Sequence, residues 1–175
     1  MLKFRFVVLA LGLGIPAVSA TATVLGPDAA QCNAGERAIL VRVVGLKDRV
    51  GQVRARTFGG SPSTWFNKKT VLKRTEVAIP SSGSVDICMP VERAGIYAVD
   101  IRHDTNSNGK TDVSDGGGVS GNPDISLIDV IFGRKPPAEK VSFKVGEGVT
   151  SVTVVVKYKS GGSFKPIGQI QTTRR

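Results

Sequence analysis

Short β-branched segments separated by Gly, Pro, Asn and Asp make up the chain from Ala38 onward. Apolar residues recur at every second position in these segments, and no segment shows apolar residues at helical spacing. The pattern predicts an all-β domain, a single β-sandwich of about seven antiparallel strands. The predicted strands lie at 39–44, 53–56, 71–79, 84–88, 96–102, 141–145 and 149–158.

Connections between the predicted strands differ in length. A turn around Lys47 and Asp48 predicts a hairpin between the first two strands. The 104–140 segment is much longer and includes Gly116, Gly117 and Gly118, which we expect to supply flexibility. Because a loop longer than about fifteen residues inside a compact domain is usually functional or mobile, this segment is the predicted location of a site.

The first twenty residues have the three-part organisation of a secretory signal peptide: basic Lys3 and Arg5, an apolar run, and a small-residue ending at Ala20. We predict cleavage after Ala20, with a retained anchor as the alternative, although the apolar run is short for a bilayer span. The mature protein is therefore predicted to be periplasmic or secreted, without a transmembrane segment. The predicted organisation is a signal peptide at 1–20, an N-terminal extension at 21–37, the sandwich at 38–158 and a flexible basic tail at 159–175.

Export determines how the two cysteines are interpreted. Cys32 and Cys88 are the only thiols of the chain, and an oxidising compartment favours a disulfide between them. Such a bridge would tie the segment before the first strand to the domain. Two free thiols are the alternative, but the pair lacks the C-x-x-C spacing of redox sites.

The string that begins at Asp104 resembles a twelve-position calcium loop. Oxygen-bearing side chains fall at positions 1, 3, 5, 9 and 12, glycine stands at position 6, and a main-chain carbonyl is available at position 7. Calcium takes six to eight oxygen ligands, which alternate side chains on a tightly turning backbone can supply. The candidate metal ligands are Asp104, Asn106, Asn108, Lys110 through its carbonyl, Asp112 and Asp115.

Two features of this string limit the calcium affinity that it predicts. Asp115 stands where a bidentate Glu is usual, and the asparagines leave only three carboxylates. We therefore expect weak binding, about 10⁻⁴–10⁻³ M, as in extracellular modules. The alternative is a solvated turn built from residues that bend chains well.

Charge is unevenly distributed along the chain. The formal net charge is +10, and nine Lys and Arg against one acid lie between residues 42 and 74. Trp65 stands among these cations, so an anionic envelope polysaccharide is a candidate partner, with the ring stacking on a sugar. The alternative is a solvated sheet face with Trp65 in the core. The candidate anion-binding residues are Arg54, Arg56, Trp65, Lys68, Lys69, Lys73 and Arg74.

Few residues are available for catalysis. The chain contains one His and two Cys, which excludes a His/Cys zinc site and most nucleophile–base constellations. A hydrolase using His103 with Asp104 or Asp112 is the enzymatic alternative, although a lone His is more often structural. Export and the lack of a recognition motif argue against nucleic acid as a partner.

Four strings occur in this order along the chain: GLKDRVGQVRARTF, RAGIYAVDIRHDTNSNGKTD, GRKPPAEKVSFKV and TVVVKY. Through these strings the chain resembles the bacterial family called domain of unknown function 2141. The likeness covers 38–158. It implies an exported β domain similar to transthyretin-type (prealbumin-like) or immunoglobulin-type folds, and it implies no established activity. The residues that carry over are His103, Asp104, Asn106, Asn108, Gly109 and Asp112. The combined expectation is an exported, non-catalytic β-sandwich module of the cell envelope, stabilised by calcium.

Overall fold

Two β-sheets and three short α-helices make up residues 23–167, the part of the chain that the computed structural model describes. The predicted signal peptide at 1–20 and residues 168–175 lie outside it. The strands are β1 (Val24–Leu25), β2 (Ala38–Val44), β3 (Gln52–Phe58), β4 (Lys73–Ala78), β5 (Val85–Pro90), β6 (Gly95–Asp104), β7 (Gly116–Val119), β8 (Phe143–Val145), β9 (Val149–Val155), β10 (Lys157–Ser160) and β11 (Ser163–Lys165). The α-helices are α1 (Ala29–Asn33), α2 (Leu127–Ile131) and α3 (Ala138–Val141), and single 3₁₀ turns lie at Pro62–Thr64 and Lys68–Thr70.

The two sheets pack face to face, which confirms the predicted all-β sandwich. The smaller sheet has the strand order β1-β5-β2-β9, and the larger has the order β11-β10-β7-β6-β3-β4, with β8 paired to the start of β6. The number and direction of strands differ from the prediction. The described residues form eleven strands, and β1 with β5 and β2 with β9 pair in parallel. Strands of two to four residues are too short to show a clear alternation of apolar and polar positions.

Inward-facing side chains of both sheets form the main core. Ile39, Val41 and Val43 of β2 face Val99 and Ile101 of β6, and all five are at most 4% exposed. This spacing of two residues follows from the pleat of a strand, whose successive side chains point to opposite faces. Burial of each such side chain contributes roughly 1.5–3 kcal/mol.

The connection between β2 and β3 is not the predicted hairpin. β2 pairs with β5 and β9 in the smaller sheet, whereas β3 pairs with β4 and β6 in the larger one. The segment 45–51 therefore carries the chain from one sheet to the other. A second crossing divides the predicted strand 149–158 at Val156, whose N–H donates to the Val44 carbonyl at 2.8 Å.

Cys32 and Cys88 form the predicted disulfide, with Cα atoms 5.9 Å apart. The bridge joins α1 to β5 across 56 positions of sequence. The segment before β2 is further attached by two residues of β1, which pair with Asp86 and Ile87 of β5. The disulfide therefore ties this segment to the smaller sheet, as the sequence predicts.

The prediction of a flexible tail from residue 159 is wrong for its described part. β11 pairs with β10 across Gly161 and Gly162, with Ser160 opposite Ser163. Gly161 has φ +59°, a value that glycine adopts at little cost in a tight hairpin turn. The β11 strand therefore extends the larger sheet. Among the described helices, none is long and apolar enough to cross a membrane.

Candidate functional site

A groove of about 490 Å³ lies on the outer face of the larger sheet, and we call it the outer groove. Its floor comes from outward-facing positions of β3, β6 and β7. One wall is part of the loop at 104–115, the other is the segment at 122–125, and β10 and β11 border the floor. The residues that define these surfaces are Arg54, Asp100, Arg102, Thr111, Asp112, Val113, Asp115, Gly117, Asn122, Pro123, Ile125, Lys157, Lys159 and Phe164.

Strand β7 determines the depth of the groove through its glycines. A Cβ atom at Gly116 would overlap Val156 and Tyr158, and one at Gly118 would overlap the Val155 carbonyl. Gly117 faces the opposite way, and a Cβ there would have no neighbour closer than 3.7 Å. The expectation that these glycines supply flexibility is therefore wrong, because they allow β7 to pack closely in the sheet and leave space above it.

Asp104 organises the first half of the loop at 104–115, which we call the Asp/Asn loop. Its carboxylate accepts hydrogen bonds from the backbone N–H groups of Asn108 (3.2 Å) and Gly109 (2.9 Å). It also accepts one from Arg102 at 2.9 Å, in an ion pair whose side chains are 0% and 6% exposed. Gly109 has φ +75°, which suits glycine at this bend. Asp104 is thus a buried anchor of the loop.

Three other candidate ligands meet at the exposed side of the loop. The Asp112 carboxylate accepts hydrogen bonds from the side-chain amides of Asn106 (2.9 Å) and Asn108 (2.8 Å). These hydrogen bonds, first that of Asn106 and then that of Asn108, lower the pKa of Asp112. The two Asn side-chain oxygens accept backbone N–H groups of Asn108 and Lys110. The predicted ligands thus form one connected turn.

The remaining carboxylate closes the loop. Asp115 accepts hydrogen bonds from the backbone N–H groups of Thr105 (3.2 Å) and Asp112 (3.0 Å). Within residues 23–167, no three His, Cys, Asp or Glu side chains form a group that could hold a metal ion. The structure thus brings Asn106, Asn108 and Asp112 together, while Asp104 and Asp115 mainly hold the backbone.

The candidate anion-binding residues do not form one continuous surface. Trp65 is 1% exposed and its ring N–H donates to the Gly59 carbonyl, so the ring lies in the core, as the alternative expects, and does not stack on a sugar. It packs with Phe58 in a second apolar cluster because the outer face of the sheet is covered at this end. Lys73 pairs with Asp28 at 2.8 Å. Lys68 and Lys69 are exposed on a 3₁₀ turn, and the arginines lie on β3 and β4.

His103 faces the core rather than the groove. It is 0% exposed, and its ring nitrogens lie within hydrogen-bond distance of the Tyr158 hydroxyl and the Val50 carbonyl. The Tyr158 oxygen also accepts the Lys47 N–H, and burial raises the pKa of Tyr158 to about 12. His103 is therefore enclosed in the sandwich and does not reach the outer groove.

Several groove residues are missing from the sites predicted by sequence. Lys157, Lys159 and Phe164 belong to strands close to the C-terminal end, and Gly117 is part of the glycine run. The alternation of Lys157 and Lys159 with buried Val156 and Tyr158 does place both lysines on an outward face. It does not reveal that β10 lies next to β7, which depends on long-range pairing.

Comparison with known proteins supplies a family but no activity. The model of a family described as an uncharacterized protein conserved in bacteria matches residues 41–153, more than half of the chain. Searches of the curated proteins and of the solved structures return no match. The matched range contains most of the outer groove and the whole Asp/Asn loop.

Proposed function

Because this chain belongs to the bacterial family called domain of unknown function 2141, in which no activity is described, we propose a function from its geometry. We propose that it is an exported, non-catalytic module of the cell envelope that binds a ligand in the outer groove. The observation that carries this proposal is the groove itself, about 490 Å³ in volume. This volume falls within the range of small-molecule sites.

The composition of the groove supports binding rather than catalysis. The described lining residues include no His, Cys or Ser, and the charged floor residues Asp100 and Arg102 are each held in an ion pair. Asp100 is engaged by Arg56, whose Nε donates to it at 2.9 Å. Arg102 is engaged by Asp104 and by the Thr111 hydroxyl. These pairs stabilise the floor of the groove.

The disulfide supports the proposed location in the periplasm or outside the cell. Disulfides persist in oxidising compartments and are rare in the bacterial cytosol. The Cys32–Cys88 bridge in the described residues and the signal-like pattern at 1–20 lead to the same compartment.

A Gly117→Leu substitution tests the groove. The new side chain would occupy the floor, and the strand would accept it because Gly117 has no positive φ and no close neighbour. We expect that a panel of small acids, alcohols and acidic sugars contains a compound that shifts the amide resonances of β6, β7 and β10. At the same compound concentration, we expect the size of these chemical-shift changes to be at least tenfold smaller in Gly117→Leu.

Gly146→Leu is the matched control, since Gly146 also has open space and no positive φ but does not line the groove. It should behave as the unmodified protein does. A panel that shifts no groove resonance, or shifts that persist in Gly117→Leu, would contradict the proposed function.

We also propose that the Asp/Asn loop binds calcium and so stabilises the groove wall that it forms. Asn106, Asn108 and Asp112 already meet, and each Asn side-chain oxygen accepts one hydrogen bond and keeps a second lone pair. The Asp112 carboxylate accepts both amide hydrogen bonds at Oδ2, so its Oδ1 is open to a cation among the described residues. Arg102 competes with a cation for Asp104. The expected affinity is accordingly weak, about 10⁻⁴–10⁻³ M.

Calorimetric titration with calcium tests this second proposal. Binding in the millimolar range is expected for the unmodified protein, and at least a tenfold weaker response for Asp112→Asn, which removes an exposed carboxylate from the loop. Glu139→Gln, which makes the same charge change on exposed α3, should bind as the unmodified protein does. A titration without heat at millimolar calcium, or equal binding by Asp112→Asn, would overturn the calcium site.

A further inference from the structure

Arg54 stands on the floor of the outer groove, and from its surroundings we infer the chemical class of the ligand. We infer that the groove binds an amphipathic carboxylic acid, whose carboxylate pairs with Arg54 and whose apolar body lies along the groove. This inference rests on the proposed function and specifies its ligand.

Among the arginines of the outer face, the count of ion pairs singles out Arg54. Four arginines project from β3, β4 and β6 on this face, and three carboxylates project beside them. Each carboxylate binds a different arginine, and the pairs are Arg56 with Asp100, Arg74 with Glu76 and Arg102 with Asp104. Arg54 has no ion-pair or hydrogen-bond partner among residues 23–167. Its two cross-strand neighbours, Glu76 and Arg102, belong to pairs already formed.

The environment of Arg54 makes this unpaired charge costly. The side chain is half-buried, and its Nε is buried without a hydrogen-bond partner. Burial, and then the charge of nearby Arg56, lower the pKa of Arg54 to about 10, so the group remains a cation at neutral pH. A partly buried cation without a partner is unfavourable, and a planar guanidinium matches a carboxylate with two parallel hydrogen bonds. A bound acid would therefore supply the carboxylate that the fold leaves out.

The other residues that line the groove favour a ligand with an apolar body over a sugar. Val113, Pro123, Ile125 and Phe164 border the groove, Gly116, Gly117 and Gly118 leave open space on its floor, and most of the exposed lining surface is apolar. A sugar needs polar partners for its hydroxyl groups, whereas a hydrocarbon body gains about 25 cal/mol for each Å² of apolar surface that it buries. The groove therefore fits a compact acid with an alkyl or aromatic body better than an acidic polysaccharide.

The test uses octanoate as the probe. It is titrated into the protein that begins after the predicted signal peptide, and binding is followed by amide chemical shifts. We expect octanoate to shift groove resonances and to bind at least tenfold more tightly than 1-octanol, which has the same body without the charge. Acetate and a trigalacturonate should bind more weakly than octanoate. Arg54→Gln should weaken octanoate binding roughly tenfold or more, because a charge-assisted hydrogen bond is lost.

Arg93→Gln is the matched control. Arg93 is exposed and does not line the groove, and its substitution changes the net charge by the same amount as Arg54→Gln. It should leave octanoate binding unchanged. Thermal unfolding should show that Arg54→Gln is at least as stable as the unmodified protein, because no ion pair is broken.

Two further results would distinguish failure of the ligand class from failure of the binding site. If octanoate binds Arg54→Gln as well as the unmodified protein, or if 1-octanol or trigalacturonate binds more tightly than octanoate, the inference fails while the groove remains a binding site. If no compound of the panel used for Gly117→Leu shifts a groove resonance, the proposed function fails, and the inference fails with it.

Discussion

Replacing both Cys32 and Cys88 with alanine is expected to lower the free energy of unfolding by about 4 kcal/mol. The bridge closes a loop of 56 residues, and the chain-entropy model assigns this value to a loop of that length. The structure explains why other contacts do not replace the bridge. β1 pairs through only two residues, and α1 has five, fewer than an isolated helix needs for stability. Without the disulfide, the segment before β2 loses its covalent attachment to β5.

Denaturant unfolding at equilibrium measures this loss. The unmodified protein in reductant should unfold at the same denaturant concentration as the double variant, and reductant should not affect the double variant. This pattern separates the effect of the bond from that of the alanine side chains. A loss below about 1 kcal/mol would mean that the bridge adds little beyond the contacts of β1 and α1.

Asp104→Ala is expected to destabilise the fold by about 3–5 kcal/mol in the absence of calcium. Asp104 is 0% exposed and pairs with Arg102, so the substitution leaves a buried guanidinium without its carboxylate. The backbone N–H groups of Asn108 and Gly109 lose their acceptor at the same time. Because Arg102 also donates to Thr111, the loss should extend to the loop wall of the outer groove.

Two variants identify the source of this effect when unfolding is measured in a chelator. Asp112→Ala removes an exposed carboxylate of the same loop and should leave the unfolding midpoint close to that of the unmodified protein. Asp104→Ala combined with Arg102→Met removes both members of the buried pair and should recover part of the loss, since no unpaired charge remains. Equal midpoints for Asp104→Ala and Asp112→Ala would show that the buried pair contributes little to stability.

Much of the local structure can be predicted from the sequence. The alternation of Ile39, Val41 and Val43 determines which face of β2 is buried, since side chains of a strand point alternately to its two faces. The string from Asp104 to Asp115 determines a turn, because each of its Asp and Asn side chains can bond to nearby backbone N–H groups. Gly161 and Gly162 also suit a tight hairpin turn between β10 and β11, although the predicted organisation places them in a flexible tail.

The partner of each strand cannot be predicted in this way. The segment 45–51 is short enough for a hairpin, yet it connects two sheets, since β2 pairs with β5 and β9 and β3 pairs with β4 and β6. The same limit applies to 149–158, where one continuous apolar alternation contributes β9 to one sheet and β10 to the other. Pairing depends on contacts between residues that are distant in the chain. The alternation of apolar and polar side chains along a strand is the same whichever strand pairs with it, so it does not identify the partner.

Inspection of the residues alone is enough to predict the β-strand character of the chain, the buried face of its long strands, the disulfide between its two cysteines and the bend at Gly109. These properties follow from side-chain periodicity, the number of thiols and local hydrogen bonding. The packed fold, by contrast, encloses Trp65 and His103, makes Gly117 part of a groove and leaves Arg54 without a carboxylate partner among residues 23–167. Burial and charge pairing depend on which strands become neighbours, and that is settled only when the two sheets pack together.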